Sequence, residues 1–310
     1  MAVIRSFGKY LPAEIRTNAW LAESLGVTAE WIGQVSGIRE RRVAGPADSV
    51  VSMGVEAARQ CLEKAGVKTA AVKMLLVASG SSERIFPGPA SQLAAALGLG
   101  DTPAIDLPLA SAGALFGMAL AAGLADATGP VLVVASELMS RAAMLEPVEK
   151  NIAILFGDGA GACLVMPDGP GLQVLHSALH SDGAQSNELS RGLDRRIFMN
   201  GMSVIRHAGK NMPGAIREVL AAADVTPAEV GQFITHQANQ NLIDRVARAI
   251  EVEPERFYSN IGSYGNTSSA SLLIAAQECF EGKNLPEGTK VCFAAFGAGY
   301  HWGALLTEQR

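Results

Sequence analysis

Three residues in this chain pair reactive chemistry with suggestive neighbours. Ser111 stands between two alanines in PLASAGALFG, where an apolar stretch becomes a run of small residues. Its hydroxyl has two readings. Serine is a favoured helix N-cap, here for AGALFGMALAAGLA. It is equally placed to be a nucleophile, because a helix N-terminus offers free N–H groups and the positive end of the dipole to an anion. His236 in HQANQ follows a strand-like run, and a histidine at a strand end reads first as a structural residue. Asn266 in SYGNTSSAS reads first as a turn residue, since Asn and Gly dominate turns.

The elements that must position these residues alternate. Strand-like runs such as KMLLVASG, GPVLVVASE, GQFITHQ and KVCFAAFGAG are interleaved with helical patterns such as SVVSMGVEAARQCLEKAG and GAIREVLAAA. The pattern predicts an α/β protein with much buried sheet. The chain also appears twice over. Aligning Val67 with Val225 aligns Val72 with Val230 at the same offset, 158, and both pairs sit between a helix and a strand. PLASAGALFGMALAAGLADATGPVLVVAS then has its counterpart in SYGNTSSASLLIAAQECFEG followed by TKVCFAAF, and FGDGAGACLVM in FGAGYHWGALL. The last pair predicts a Gly-x-Gly turn before the final strand of each half. Two similar halves follow, residues 1–168 carrying Ser111 and residues 169–310 carrying His236 and Asn266, joined near MPDGPGLQ. A site at their seam draws groups from both.

Composition narrows the function classes. The chain has 310 residues, 49% hydrophobic and 18% charged, with a net charge of −5 and no block of consecutive Lys or Arg. This gives no electrostatic footprint for nucleic acid. Mean hydropathy is +0.21, no window is a membrane span, and MAVIRSFGKYLP lacks a hydrophobic signal core, so a cytoplasmic protein is expected. Cys61, Cys163, Cys279 and Cys292 show no C-x-x-C spacing and read as buried reduced thiols. His176 and His180 form an H-x-x-x-H pair that no further ligand completes, so no metal is expected.

Several motifs in order carry a family resemblance over nearly the whole chain: YLP at 10–12, WIGQVSGIRERR at 31–42, LFGDGAGA at 155–162, HQANQ at 236–240, SYGNTSSAS at 263–271 and FGAGYHWG at 296–303. Together they resemble the thiolase-fold condensing enzymes, in particular 3-oxoacyl-acyl-carrier-protein synthase III and its relatives. The resemblance implies an α/β thiolase-like fold, two pseudo-repeats in a five-layered α/β/α/β/α sandwich. It implies a catalytic trio of His236, Asn266 and a cysteine where this chain has Ser111. His236 and Asn266 would hold a thioester carbonyl oxygen and stabilise the enolate left when a malonyl unit loses carbon dioxide. The amide of Ala298, in FGAGYHWG, would contribute to the oxyanion hole. No tightly bound cofactor is implied; the acyl group arrives on coenzyme A or on the phosphopantetheine of acyl carrier protein, and the enzyme is a homodimer.

The resemblance also assigns substrate contacts. Trp31 and Lys150 would meet the nucleotide end of the carrier, Phe86 would reach across the dimer into the partner's acyl pocket, and Phe156, Met199, Gly201 and Asn239 would line the channel. Core packing is the plainer reading of Phe86, and a solvated loop lysine that of Lys150. Departures stand beside these. Val35 replaces the family's usual arginine four residues after Trp31, which weakens the case for coenzyme A. Ala298 replaces a glycine, and a positive φ there would be costly. Ser111 replaces the cysteine, and a serine hydroxyl needs a base to become a nucleophile. An acyl group on serine is an ordinary ester, less electrophilic than a thioester.

The expected function is that of an acyltransferase or 3-oxoacyl synthase III-like enzyme of fatty acid or polyketide-type biosynthesis, either a natural serine variant or an engineered Cys-to-Ser form. The alternative is a non-catalytic partner subunit of an active condensing enzyme. A serine hydrolase of unrelated type is disfavoured, because ASAG is not a G-x-S-x-G elbow.

Overall fold

The computed structural model describes all residues, 1–310. Ten strands form one continuous sheet: β1 (Val3–Tyr10), β2 (Met74–Ala78), β3 (Ala104–Leu107), β4 (Val131–Leu138), β5 (Asp158–Met166), β6 (Leu172–Ser181), β7 (Val230–Thr235), β8 (Phe257–Tyr258), β9 (Lys290–Gly297) and β10 (His301–Gln309). Their order is β8-β7-β9-β10-β6-β1-β5-β4-β2-β3. Adding five to each label of the first half gives the second half, with the same parallel and antiparallel pairings. The halves meet where β1 and β6 pair through Val3 with Gln173 and Ile4 with Leu172. The turn between β5 and β6 contains residues 168 and 169.

The helices that bear on the site are α1 (Ala29–Ser36), α2 (Val50–Ala65), α3 (Gly113–Thr128), α4 (Gly201–Ala222), α5 (Gln240–Ala249) and α6 (Ala270–Phe280). Helix α2 is amphipathic, burying Val50, Met53, Ala57, Cys61 and Leu62 against the first half's strands while Glu56, Arg59 and Glu63 face solvent. Helices α4 and α5 cover the second half in the same way. Helices α3 and α6 are apolar nearly all round, as befits burial on both sides. They lie between the halves in one core with Ile4, Leu76, Ala78 and Val133 of the first and Ile234, Val291, Phe293 and Leu305 of the second. The five layers follow from this. All four cysteines are free and buried.

Two local expectations need correction. Only the second Gly-x-Gly enters a turn, Gly297 ending β9 and residues 298–300 forming the turn; Asp158 and Gly159 already belong to β5. The reason is chain length: residues 139–157 connect β4 to β5 and hold two short helices, whereas only residues 298–300 connect β9 to β10. Helix α4 is also far longer than GAIREVLAAA, running through Pro213. Proline crowds the carbonyl four residues earlier, and residue 209 is a glycine against which the Arg245 side chain lies.

Candidate active site

Ser111, His236 and Asn266 line one cavity of about 130 Å³. They come from three loops at the strand ends that face each other across the central helices. The loop before α3 carries Ser111, the end of β7 carries His236, and the loop before α6 carries Asn266.

Ser111 is not a helix cap. The cap position of α3 is Ala112, with φ −82° and no side-chain bond, and Ser111 precedes it at φ +66°. A non-glycine residue in that left-handed region costs about 1 kcal/mol, which the surroundings must hold in place. They do so closely. The Ser111 amide donates to Ser268 Oγ at 2.9 Å. Gly297 abuts the same loop, and a Cβ there would lie 2.7 Å from the Ala112 amide nitrogen and 3.0 Å from Ser111 Cβ. The Ser111 hydroxyl itself makes no hydrogen bond within the protein and faces the cavity.

His236 is buried, and burial pulls its imidazole down to about 3, so it is neutral at pH 7. Its Nδ1 lies 2.6 Å from Ser271 Oγ, which also accepts the Gln237 amide at 3.1 Å. Ser271 Oγ can give its hydrogen to His236 Nδ1, and in that tautomer the hydrogen of the ring is on Nε2. That Nε2–H has no partner in the protein. Asn266 is fixed in the same manner: its Oδ1 accepts the Ser268 amide at 2.8 Å, its own amide donates to the Leu155 carbonyl at 2.9 Å, and its Nδ2 donors remain unused. Two unpaired neutral donors therefore line the cavity beside the Ser111 hydroxyl. Such a pair suits an oxygen that gains negative charge.

Ala298 also lines the cavity, and its amide has no acceptor in the protein. The strain expected from the missing glycine does not arise, since Ala298 stays out of the left-handed region and Gly299 takes φ +127° instead. Ser111's own amide, committed to Ser268, is not such a donor.

Of the other expected contacts, Phe156, Met199, Gly201 and Asn239 line the cavity. Trp31, Lys150 and Phe86 do not. Lys150, exposed, lies 5.9 Å from the centre of the Trp31 ring, and α1, which carries Trp31, is tethered to the cavity wall where Asn239 Nδ2 donates to the Val35 carbonyl at 2.8 Å. Phe86 is 85% exposed, which excludes core packing within the chain.

One supporting group left no mark in the motifs. Glu137, fully buried at the end of β4, accepts from the Gly80 amide at 3.1 Å, the Ser79 hydroxyl at 3.4 Å, the Ser269 amide at 3.3 Å and the Ser81 hydroxyl. Burial pushes its carboxyl up, and Ser81, Gly80, Ser268 and Ser269 pull the other way. It ties the loop after β2 to the loop before α6. A buried carboxylic residue inside the apolar run VLVVASEL was the available signal.

No helix is long and apolar enough to cross a membrane. Comparison with known proteins places this geometry. The family model described as 3-oxoacyl-[acyl-carrier-protein] synthase III matches residues 105–183, and that of its C-terminal part residues 220–309. A beta-ketoacyl-[acyl-carrier-protein] synthase III of Pectobacterium atrosepticum is 36% identical over 97% of this chain and 97% of its own, and one of Chlamydia caviae 32% over 99% and 97%. The crystal structure of 3-oxoacyl-[acyl-carrier-protein] synthase III from Aquifex aeolicus superposes with a TM-score of 0.95 at 30% identity, covering 99% of this chain and 100% of that one. The priming beta-ketosynthase of the R1128 polyketide pathway gives 0.91 at 29%, covering 100% and 96%.

Proposed function

The chain belongs to the 3-oxoacyl-[acyl-carrier-protein] synthase III family, and from that premise we propose that it is an acyltransferase of fatty acid or polyketide biosynthesis that carries its acyl group on Ser111. The acyl donor is a thioester of acyl carrier protein or coenzyme A. Ser111 Oγ bonds to the acyl carbon as the carbon–sulfur bond breaks, and the serine proton leaves with the thiol. Ala298 N–H supports the oxyanion of this step. Lys150 and Trp31 hold the far end of the carrier, Asn239 and Gly201 its arm, and Phe156 and Met199 the acyl group.

In the second step an acceptor thioester sits with its carbonyl oxygen against His236 Nε2–H and Asn266 Nδ2–H. Where the acceptor is a malonyl unit, carbon dioxide departs, the electron pair passes to an enolate held by these two donors, and the enolate carbon attacks the ester on Ser111. The serine oxyanion leaves and takes up a proton. A neutral imidazole with a low pKa is a good donor for this role and a weak base for activating serine. Loading of Ser111 is therefore slower than loading of a cysteine in its place. Exposed Phe86 and its neighbour Ile85 support a homodimer, and a cytoplasmic site of action goes with the same reading.

The observation that carries the proposal is the pair of unpaired donors, His236 Nε2–H and Asn266 Nδ2–H, on the same cavity as an unpaired serine hydroxyl. The test is incubation with an acyl-coenzyme A and a phosphopantetheinylated acyl carrier protein, with and without a malonyl group. An acyl or 3-oxoacyl mass gain on the carrier that depends on His236 and Asn266 is expected. No gain, with Ser111 or with Ser111→Cys, would overturn it.

A further inference from the structure

Arg41, on the short strand Glu40–Val43, is shut off from solvent at 1% exposure and lies outside the cavity. Burial pulls its guanidinium down to about 10, so it remains a cation at pH 7. Its partners are all neutral. Nη1 donates to the Arg16 carbonyl at 3.1 Å and to Asn18 Oδ1 at 3.0 Å, and Nη2 donates to the Ile154 carbonyl at 2.8 Å. A buried cation held only by neutral acceptors is costly to the fold. What its donors hold in place is therefore informative.

They hold the segment to which Asn266 is fastened. Leu155, the residue after Ile154, takes the Asn266 amide on its carbonyl at 2.9 Å, Phe156 is bridged to Asn266, and the Gly157 amide donates to the Asn266 carbonyl at 3.1 Å. The packing is backbone against backbone. A Cβ on Gly157 would collide with the Tyr264 carbonyl and lie 3.1 Å from Arg41 Cβ, and one on Gly265 would lie 2.9 Å from the Leu155 carbonyl oxygen and also 3.1 Å from Arg41 Cβ. Arg41 is thus pressed against both neighbours of the Asn266 bridge. Ser111 and His236 have other holders, Ser268 and Ser271.

We propose that Arg41 is a positioning residue for the decarboxylation step, its fork fixing residues 154–157 and, through them, the place of Asn266 Nδ2–H on the cavity. The inference rests on the function proposed above and adds a residue that touches neither substrate nor reacting atoms. A donor to an oxyanion works only at hydrogen-bond distance, and a misplacement of about 1 Å can cost on the order of a hundredfold in rate. The guanidinium is suited to the task because its donors point in fixed directions to acceptors on separate segments.

The test uses the full-length protein and two half-reactions. In the first, malonyl-acyl carrier protein becomes acetyl-acyl carrier protein as carbon dioxide leaves and the enolate carbon takes up a proton, a mass loss on the carrier. In the second, an acetyl thioester of N-acetylcysteamine loads Ser111, a mass gain on the protein. Arg41→Gln should slow decarboxylation at least about tenfold while acetyl loading stays within about threefold. Placed on Asn266→Ala, Arg41→Gln should slow decarboxylation by less than about threefold more, because the group it positions is gone. Arg41→Lys keeps the charge without the fork and should show the same split. Should Arg41→Gln fail to fold, Arg41→Lys decides on both backgrounds. Decarboxylation unchanged, losses equal in the two half-reactions, or a full further loss on Asn266→Ala would overturn the positioning role alone. No decarboxylation by the parent protein would overturn the proposed function with it.

Discussion

The duplication sets two serines side by side. Ser111 precedes α3 and Ser268 precedes α6, and both take the left-handed conformation, at φ +66° and +49°. They hold equivalent places in the two repeats and touch each other, the amide of one on the hydroxyl of the other. Their surroundings differ. Ser111 Oγ opens on the cavity without a partner, whereas Ser268 is completely buried and its hydroxyl is used to hold Ser111. In the proposed mechanism the hydroxyl of one loop meets substrate and that of the other supports it. The two serines share residue type and backbone region and differ in access to the cavity.

That contrast can be broken in order of effect. Ser111→Ala should abolish acyl loading, a fall of more than a thousandfold by intact-mass time course, while Ser268→Ala should slow it by about tenfold through a loosened loop. Equal losses would mean that the two hydroxyls share the chemistry. Removing one donor, as His236→Ala or Asn266→Ala, should lower carrier-dependent product formation by roughly 10²- to 10³-fold, the usual cost of an oxyanion donor. Ser111→Cys should load at least tenfold faster, because a thiol ionises beside a helix N-terminus without a strong base.

Stability sharpens the same comparison. Ser111→Gly relieves a strained angle and removes no hydrogen bond, so it should stabilise by about 1 kcal/mol. Ser268→Gly relieves the same strain but leaves the Ser111 amide unpaired in a buried place, and should destabilise by about 1 kcal/mol net. Melting curves of both variants give the signs directly. The last test concerns pH. His236 has a folded value of about 3 against 6.5 unfolded, so its contribution is fully present above pH 6.5 and is lost as pH falls towards 3. At pH 5 this amounts to about 2 kcal/mol. His236→Gln should therefore lose less stability than the parent between pH 7 and pH 5.

Much of this was legible in the residues. The common offset of Val67 with Val225 and Val72 with Val230 is the repeat seen in the sheet, where buried Val72 lies two residues before β2 and buried Val230 opens the matching β7. Ser111, His236 and Asn266 could be named from their motifs because HQANQ and SYGNTSSAS are distinctive local strings. What was not legible depends on contacts between distant segments. The angle at Ser111 is imposed by Ser268 and Gly297, far away in the chain. Glu137 looks like a misplaced charge until the donors of two loops converge on it. The length of α4 was hidden by Pro213, which lies inside the helix.

The most direct measurement is peptide mapping of the protein after brief exposure to an octanoyl thioester. The expected result is a single octanoyl ester, on the peptide containing Ser111, lost on Ser111→Ala and retained on Ser268→Ala. An unmodified Ser111 peptide with label on another residue, or none in the Ser111→Cys protein as well, would contradict it.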